Sequence, residues 1–375
     1  MKRIAKLLLP ALSVIPLALI TSCQSQQQSN NLTILSAIPQ YLHADSVVLL
    51  DNQDKPLASV AVAEQSGAQV VSLSFEVGTP QIGTIVLMPE TPTTSTPIVI
   101  EPGTMSVQFD SISSPAIAGT PLNDSIQSIR NRAHSMLHKA KTISELEADP
   151  AITKEQAAMY EQQIDSLFNL YIQIQKDAAF GNATNALGVF FGKLISYSLS
   201  VEELDSLTSQ FPLYMRSDPR AISLNKTLNA LKLTAVGKPF QELPHIQTPA
   251  GDSVSLSDLV IYSKLTIVDF WASWCGPCRH FAPTLVDIYS QYRDRGLQIV
   301  GISLDSDHGA WVKAIADLNL TWPQVSDLKG WRSEAAGIYG VQAIPATVVI
   351  AQDGTIVARN PSESELRAIV AERLK

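Results

Sequence analysis

Cysteine is scarce in this chain: three in 375 residues. Three thiols cannot staple a small secreted fold, so stability must come from a packed core. At roughly 100–200 residues per domain, the length allows two or three domains. Positive charge is also short. Lys and Arg number 27 against 35 Asp and Glu, a formal net charge of −8. That excludes the basic footprint of a nucleic-acid binder. The apolar run at the amino end, Leu7–Ile20, has 14 residues and contains Pro10 and Pro16, whereas a spanning helix needs about 20 apolar residues. The 18 Gly and 22 Pro follow no collagen-like period, and no repeat recurs at solenoid spacing. With 45% hydrophobic and 17% charged residues, the bulk is globular.

The amino end reads as targeting. Lys2, Arg3 and Lys6 precede the apolar run, which closes on Ile20-Thr21-Ser22-Cys23. Positive, apolar and small residues in that order make a secretory signal. The closing box looks like that of lipoproteins, in which the cysteine is acylated and begins the mature chain. An ordinary secretory signal with a chance cysteine is the alternative. Residues 1–22 are therefore expected to be a lipoprotein signal peptide, and 23–31 the lipidated Cys23 with a Gln-rich polar tether. Loss of three positive charges with the signal leaves a more acidic chain, so lipid rather than electrostatics is the expected anchor. The expected location is the cell envelope, periplasm-facing and membrane-anchored, with the outer membrane favoured.

Three regions follow. Residues 32–120 carry short Val-, Ile- and Leu-rich runs separated by Pro, Gly, Thr and Ser: Leu32–Ile38, Ser46–Leu50, Gln69–Phe75, Gly83–Met88, Pro97–Ile100 and Met105–Phe109. Val71, Leu73 and Phe75 alternate with Ser72 and Ser74, the period of a half-buried strand. The expectation is an all-β, sandwich-like module with no catalytic cluster. Residues 121–234 turn helical. Ile164, Leu167, Phe168, Tyr171 and Ile172 fall on one face that should be buried, and Thr153/Gln156 and Ser200/Glu203 have capping-box spacing. Residues 235–375 alternate strand and helix, which implies a sheet layered with helices. Leu265–Phe270, Leu297–Ser303 and Ala346–Ala351 are its strand-like runs, and Asp353-Gly354 marks a hairpin turn.

The chemistry lies in Val268-Asp269-Phe270-Trp271-Ala272-Ser273-Trp274-Cys275-Gly276-Pro277-Cys278. A C-x-x-C at a strand–helix junction reads as a redox motif. On a first helical turn the two cysteines share a face, close enough to bridge. Cys275 would sit at the helix N-terminus, where free N–H groups and the dipole favour its thiolate. Pro277 fits the first turn, where it forfeits no hydrogen bond. Cys278, one turn deeper, should be shielded. A zinc site needs about four ligands and no second C-x-x-C exists, so no metal is expected, and no other cofactor. A purely structural disulfide would not call for Gly-Pro between the cysteines. A peroxide-reducing nucleophile would carry Thr three residues earlier, where Ala272 stands.

The stretch from about Val236 to Lys375 resembles the thioredoxin superfamily, in particular its membrane-tethered TlpA/ResA-like branch. Trp274-Cys275-Gly276-Pro277-Cys278 carries the resemblance. So do Pro283, five residues on, and Gly340-Val341-Gln342-Ala343-Ile344-Pro345-Ala346-Thr347. The upstream order of lipoprotein signal, β-rich module and helical stretch is similar to a family of envelope lipoproteins. The resemblance implies a multidomain chain ending in an α/β thioredoxin fold. It implies a cis Pro345 facing the cysteines, and an Ile344 backbone that pairs with substrate by strand addition. It also makes Asp269 a buried acid that shuttles a proton for Cys278, and Trp274 an apolar docking surface. One departure stands out: Gly301 replaces the lysine that pairs with that acid in cytosolic thioredoxins. Trp311, Trp322 and Trp331, around a longer segment before the proline strand, read as packing residues.

The expected function is a lipid-anchored thiol–disulfide oxidoreductase, with Gly276-Pro277 favouring reduction of protein disulfides. Its partners would be disulfide-bearing envelope proteins and a membrane thiol donor that recharges the pair. The rivals are an envelope binding or scaffold lipoprotein with a secondary redox domain, and a disulfide isomerase.

Overall fold

The computed structural model describes residues 30–375 apart from 64–67, 92, 111–113, 148, 150, 244–245 and 261. The expected signal peptide, the acylation site at Cys23 and the tether as far as residue 29 lie outside the described residues. Among the described residues, no helix is long and apolar enough to cross a membrane.

Eight strands come first: β1 (Asn31–Ile38), β2 (Ser46–Leu50), β3 (Pro56–Ala61), β4 (Gln69–Glu76), β5 (Gln81–Met88), β6 (Ser95–Ile100), β7 (Gly103–Gln108) and β8 (Ala116–Ala118). They form two four-stranded sheets, ordered β4-β1-β7-β8 and β3-β2-β5-β6. Alternation drives them: Leu32, Ile34 and Ile38 of β1 point to the core, as do Val47 and Leu49 of β2. β3 escaped the sequence reading because it is an edge strand with no fully buried residue.

Helices α1 (Pro121–Glu147), α2 (Lys154–Gly181), α3 (Ala186–Leu194), α4 (Val201–Ser209) and α5 (Pro219–Leu233) follow. The turn into α1 is pinned by polar groups. Glu101 Oε1 accepts the Leu122 N–H at 2.8 Å, satisfying a free donor of the first turn. Asp124 Oδ1 accepts the Gly119 N–H at 2.7 Å. Asn123, wholly buried, pairs with both backbone groups of Val99 at 2.8 Å and donates to Thr120 at 2.7 Å. Thr153/Gln156 and Ser200/Glu203 form capping boxes at α2 and α4.

The expected buried face of α2 is shallower than its spacing implies. Ile164, Leu167, Tyr171 and Ile172 are half-buried, and Phe168 is 46% exposed. The outer half of α2 has only α1 beside it; full burial begins at Gln175, Ala178 and Ala179, where α3 packs. One continuous core runs from Leu32, Ile85 and Phe109 of the sheets to Leu187, Phe191, Leu207 and Leu224 of the helices.

The last region holds β9 (Ile246–Gln247), β10 (Ser253–Val254), α6 (Leu256–Val260), β11 (Leu265–Trp271), α7 (Gly276–Tyr292), β12 (Leu297–Ser303), α8 (His308–Asp317), β13 (Gln324–Ser326), α9 (Glu334–Tyr339), β14 (Ala346–Ala351), β15 (Ile356–Arg359) and α10 (Glu363–Arg373). The seven strands make one mixed sheet, β10-β9-β13-β12-β11-β14-β15. β11 pairs in parallel with β12 and antiparallel with β14, and every residue of β11 is buried. That is why its sequence is continuously apolar but for Thr266 and Asp269. This region has its own core, which includes Phe270, Trp311, Tyr339 and Val349.

The two bodies meet along a seam. Arg359 donates to the Thr234 carbonyl at 3.0 Å and to the Tyr339 carbonyl at 2.8 Å. Gln342 Oε1 accepts from Lys193 Nζ at 3.1 Å and from Ser196 Oγ at 3.2 Å. Gly340 has φ +64°, and a β-carbon there would press on Leu231 at about 3.0 Å, so glycine meets both the turn and the close approach.

Candidate redox site

The strand β11 delivers the chain to the site. After Trp271 the backbone turns through 272–274 and enters α7 with Cys275 as its N-cap. The turn is held by Asp305, itself 1% exposed, which accepts the Ser273 N–H at 2.9 Å, Ser273 Oγ at 2.6 Å and Ser303 Oγ at 2.7 Å. Gly276 and Pro277 fill the first helical turn. Pro283 lies inside the helix.

Cys275 and Cys278 are joined as a disulfide, with Cα atoms 5.3 Å apart. The Cys278 N–H points at Cys275 Sγ, 3.1 Å away. In the disulfide state both cysteines are 5% exposed, so Cys278 is not the more shielded of the two. The Ile344–Pro345 peptide is cis. Ile344 O lies 3.7 Å from Cys275 Sγ. Ile344 is half-buried and Pro345 exposed. Cys275, Cys278, Gly276, Pro277, Trp274, Ile344 and Pro345 therefore come to one surface, from two segments separated by 69 positions.

Asp269 sits behind that surface on β11, 6% exposed, with Oδ1 lacking any hydrogen-bond partner. Burial disfavours its charged form and pushes its pKa up to about 7. Among the described residues no hydrogen bond joins it to either cysteine.

Gln324 was not singled out from the sequence. Asp269, Gly301 and Gln324 are consecutive register partners across β11, β12 and β13, so they share one sheet face. Gly301 has no β-carbon, and the Gln324 amide fills that space: a β-carbon at 301 would lie 2.1 Å from Gln324 Oε1. Trp271 Nε1 donates to Gln324 Oε1 at 3.0 Å, leaving the buried Nε2 unpartnered. A glycine in a buried strand beside an acid was the available signal, but the residue filling its place comes from the next strand, two strands from the acid.

Trp274 is 55% exposed and meets Trp331, 52% exposed, at a ring-centroid distance of 6.2 Å. Trp311 and Trp322 are packed inside, at 1% and 3% exposure, as expected. Trp331 is not a packing residue; it extends the aromatic surface beside Cys275.

A family model described as the AhpC/TSA family matches residues 236–359. The thiol-disulfide oxidoreductase ResA of Oceanobacillus iheyensis is 35% identical over 136 residues, 36% of this chain and 68% of that protein. ResA of Bacillus anthracis is 30% identical over 107 residues, 28% of this chain and 59% of that protein. The solved thioredoxin domain of a thiol-disulfide oxidoreductase from Bacteroides vulgatus is 29% identical, with 38% of this chain and 99% of that chain covered and a TM-score of 0.35. The chain thus spans about three fifths to two thirds of the length of these two curated relatives.

Proposed function

The chain belongs to the thioredoxin-like family that contains the ResA thiol-disulfide oxidoreductases, and on that footing we propose that it is a protein-disulfide reductase held at the cell envelope by a lipid on Cys23. The observation that carries the chemistry is the Cys275–Cys278 pair on the first turn of α7, with the Cys278 N–H aimed at Cys275 Sγ. Once the pair is reduced, that N–H and the helix N-terminus favour a thiolate at Cys275.

The thiolate attacks one sulfur of a substrate disulfide. The substrate S–S bond breaks, its other sulfur leaves as a thiolate and takes up a proton, and a mixed disulfide forms at Cys275. Cys278 then gives its proton to Asp269, whose pKa near 7 lets it accept and return one. The Cys278 sulfur attacks Cys275 Sγ, the mixed disulfide breaks, and the second substrate sulfur leaves. Two electrons have passed to the substrate, and the Cys275–Cys278 bond is restored. A membrane thiol donor recharges the pair. Trp274 offers the substrate an apolar face, and the Ile344 backbone offers strand pairing beside Pro345. Cys23 and the preceding signal pattern support the anchor, and Gly276-Pro277 supports the reducing direction.

Reduction of insulin by the protein in the presence of dithiothreitol tests the reading. Wild type is expected to be active and Cys275→Ser inactive. Cys278→Ser should accumulate mixed disulfides with envelope proteins. Full activity of Cys275→Ser would overturn the proposal. The potential of the pair separates reductase from isomerase: a value near thioredoxin's, about −270 mV, supports reduction, and one near about −180 mV supports isomerisation.

A further inference from the structure

We propose that the seam between α5 and α9 is a substrate-binding groove, and that it takes an acidic segment of the protein whose disulfide is being reduced. The inference rests on the redox reading above and names the kind of substrate it favours. The groove, of about 350 Å³, is lined from the helical region by Lys193, Ser223, Lys226 and Thr227, and from the α/β domain by Trp331, Gly337, Val341 and Gln342.

Two connections tie the groove to the cysteines. Trp331 at its rim touches Trp274, the residue before Cys275. Gln342 at its floor lies two residues before Ile344, whose carbonyl oxygen is beside Cys275 Sγ. Two residues of extended chain span roughly 7 Å. A polypeptide with its disulfide at Cys275 and a strand against Ile344 therefore runs on into the groove within a few residues.

Charge decides what fits there. Elsewhere in the helical region, Lys141, Lys176 and Lys232 each face a carboxylate. Lys193 and Lys226 have no acidic partner among the described residues. Lys193 is half-buried, and its ammonium is held over the groove floor by Gln342 Oε1 at 3.1 Å. Desolvation disfavours that charge. Lys226 reaches across the seam: a β-carbon on Gly337 would lie 3.9 Å from its Nζ. Lys329 and Arg332 flank Trp331, likewise without an ion pair. One acid of that turn is engaged locally: Asp327 accepts the N–H groups of Lys329 and Glu334. The Glu334 carboxylate is exposed at the start of α9 and makes no ion pair with these cations among the described residues. In a chain of net charge −8, two unpaired lysines lining one groove, with Lys329 and Arg332 beside its rim residue Trp331 in sequence, make a local attraction for anions. A partly desolvated ammonium with no counter-charge is costly in the free protein and repaid when a carboxylate arrives.

The test uses the reduced full chain and two synthetic peptides, each closed by one disulfide and identical except for flanking Asp and Glu in one and flanking Lys in the other. Oxidation of the cysteine pair is followed by tryptophan fluorescence in a stopped-flow instrument. At low ionic strength the acidic peptide is expected to react about tenfold faster than the basic one, and the preference should shrink in high salt. Lys193→Gln with Lys226→Gln should bring the ratio to about one, Lys226→Glu alone should lower it, and arginine at both positions should keep it. A ratio unchanged by the glutamine and glutamate variants, or a wild-type preference for the basic peptide, would overturn the inference while leaving the redox reading intact. No exchange with either peptide would overturn both.

Discussion

Each of the two bodies buries a polar side chain in its core, and treats it differently. In the body made of the sheets and helices α1–α5, Asn123 is wholly buried and every contact is matched: it pairs with both backbone groups of Val99 and with Thr120. In the α/β domain, Asp269 and Gln324 are 6% and 3% exposed, and each keeps an atom with no partner. The first body has orphans too, but Ser36 Oγ is a neutral hydroxyl, and Arg220 Nη1 lies 3.8 Å from the Asp218 carboxylate, which balances its charge. A satisfied buried amide specifies packing; an unsatisfied buried acid is a store of proton chemistry. The contrast teaches where stability and where reactivity are held in this chain.

The largest way to break that contrast is at the cysteines. Cys275→Ser should lower disulfide reduction by at least about 10³-fold, since a hydroxyl does not replace the thiolate as nucleophile. Insulin reduction measures the loss. Asn123→Ala should do the opposite. It leaves both backbone groups of Val99 buried and unpaired, and should destabilise the first body by about 2–4 kcal/mol without slowing exchange with a small disulfide. Denaturant unfolding beside an exchange assay reads both effects. If Asn123→Ala slowed exchange by more than its unfolded fraction explains, the division between the bodies would fail.

Asp269→Asn separates the two roles within one residue. The folded-state pKa of Asp269 is raised to about 7 from an ordinary 3.8. Its protonation therefore supports the folded state at low pH, and that support is lost as pH rises from about 4 through 7. Asparagine removes the dependence. The oxidised variant should be more stable than wild type above pH 7, by an amount on the order of 4 kcal/mol, and should show a flatter stability curve between pH 4 and 7. Its reduction of a disulfide should nevertheless be slower, by roughly 10²-fold at neutral pH. A variant that is both more stable and equally fast would make Asp269 a structural acid.

How much of this was legible depends on how local the determinant is. The cysteine motif is five consecutive residues, and helix geometry alone places Cys275 at an N-terminus. The capping boxes at Thr153/Gln156 and Ser200/Glu203 are equally local, and both reciprocal bonds are present in each. The α2 face failed at Phe168 because periodicity tells which residues share a side, not whether anything covers it. β3 failed because an edge strand needs no buried row. Trp331 and the lysine-lined seam depend on two distant segments docking, which no spacing encodes. The same is true of Gln324, whose meaning comes from a register across three strands.

Gln324 gives the smallest expected effect and the sharpest form of the contrast. Its Oε1 is taken by Trp271, so the amide is oriented and Nε2 faces other neighbours. The unpartnered Nε2 and the unpartnered Asp269 Oδ1 share a sheet face with only Gly301 between their strands. When Asp269 ionises, Nε2 is a neutral donor on the same sheet face but two strands away, whereas a lysine at 301 would bring a full charge from the adjacent strand. Gln324→Leu should therefore raise the Asp269 pKa further, by less than about one unit, because a neutral donor stabilises a carboxylate far less than a cation does. The midpoint of the pH-dependent stability step, which Asp269→Asn identifies, should move up accordingly. Loss of the Trp271 acceptor should add a pH-independent destabilisation of about 1–2 kcal/mol. The two parts separate cleanly, because the second persists in the Asp269→Asn background and the first cannot. An unmoved midpoint in Gln324→Leu would reduce Gln324 to a filler of the space left by Gly301, and Asp269 would then be tuned by burial alone.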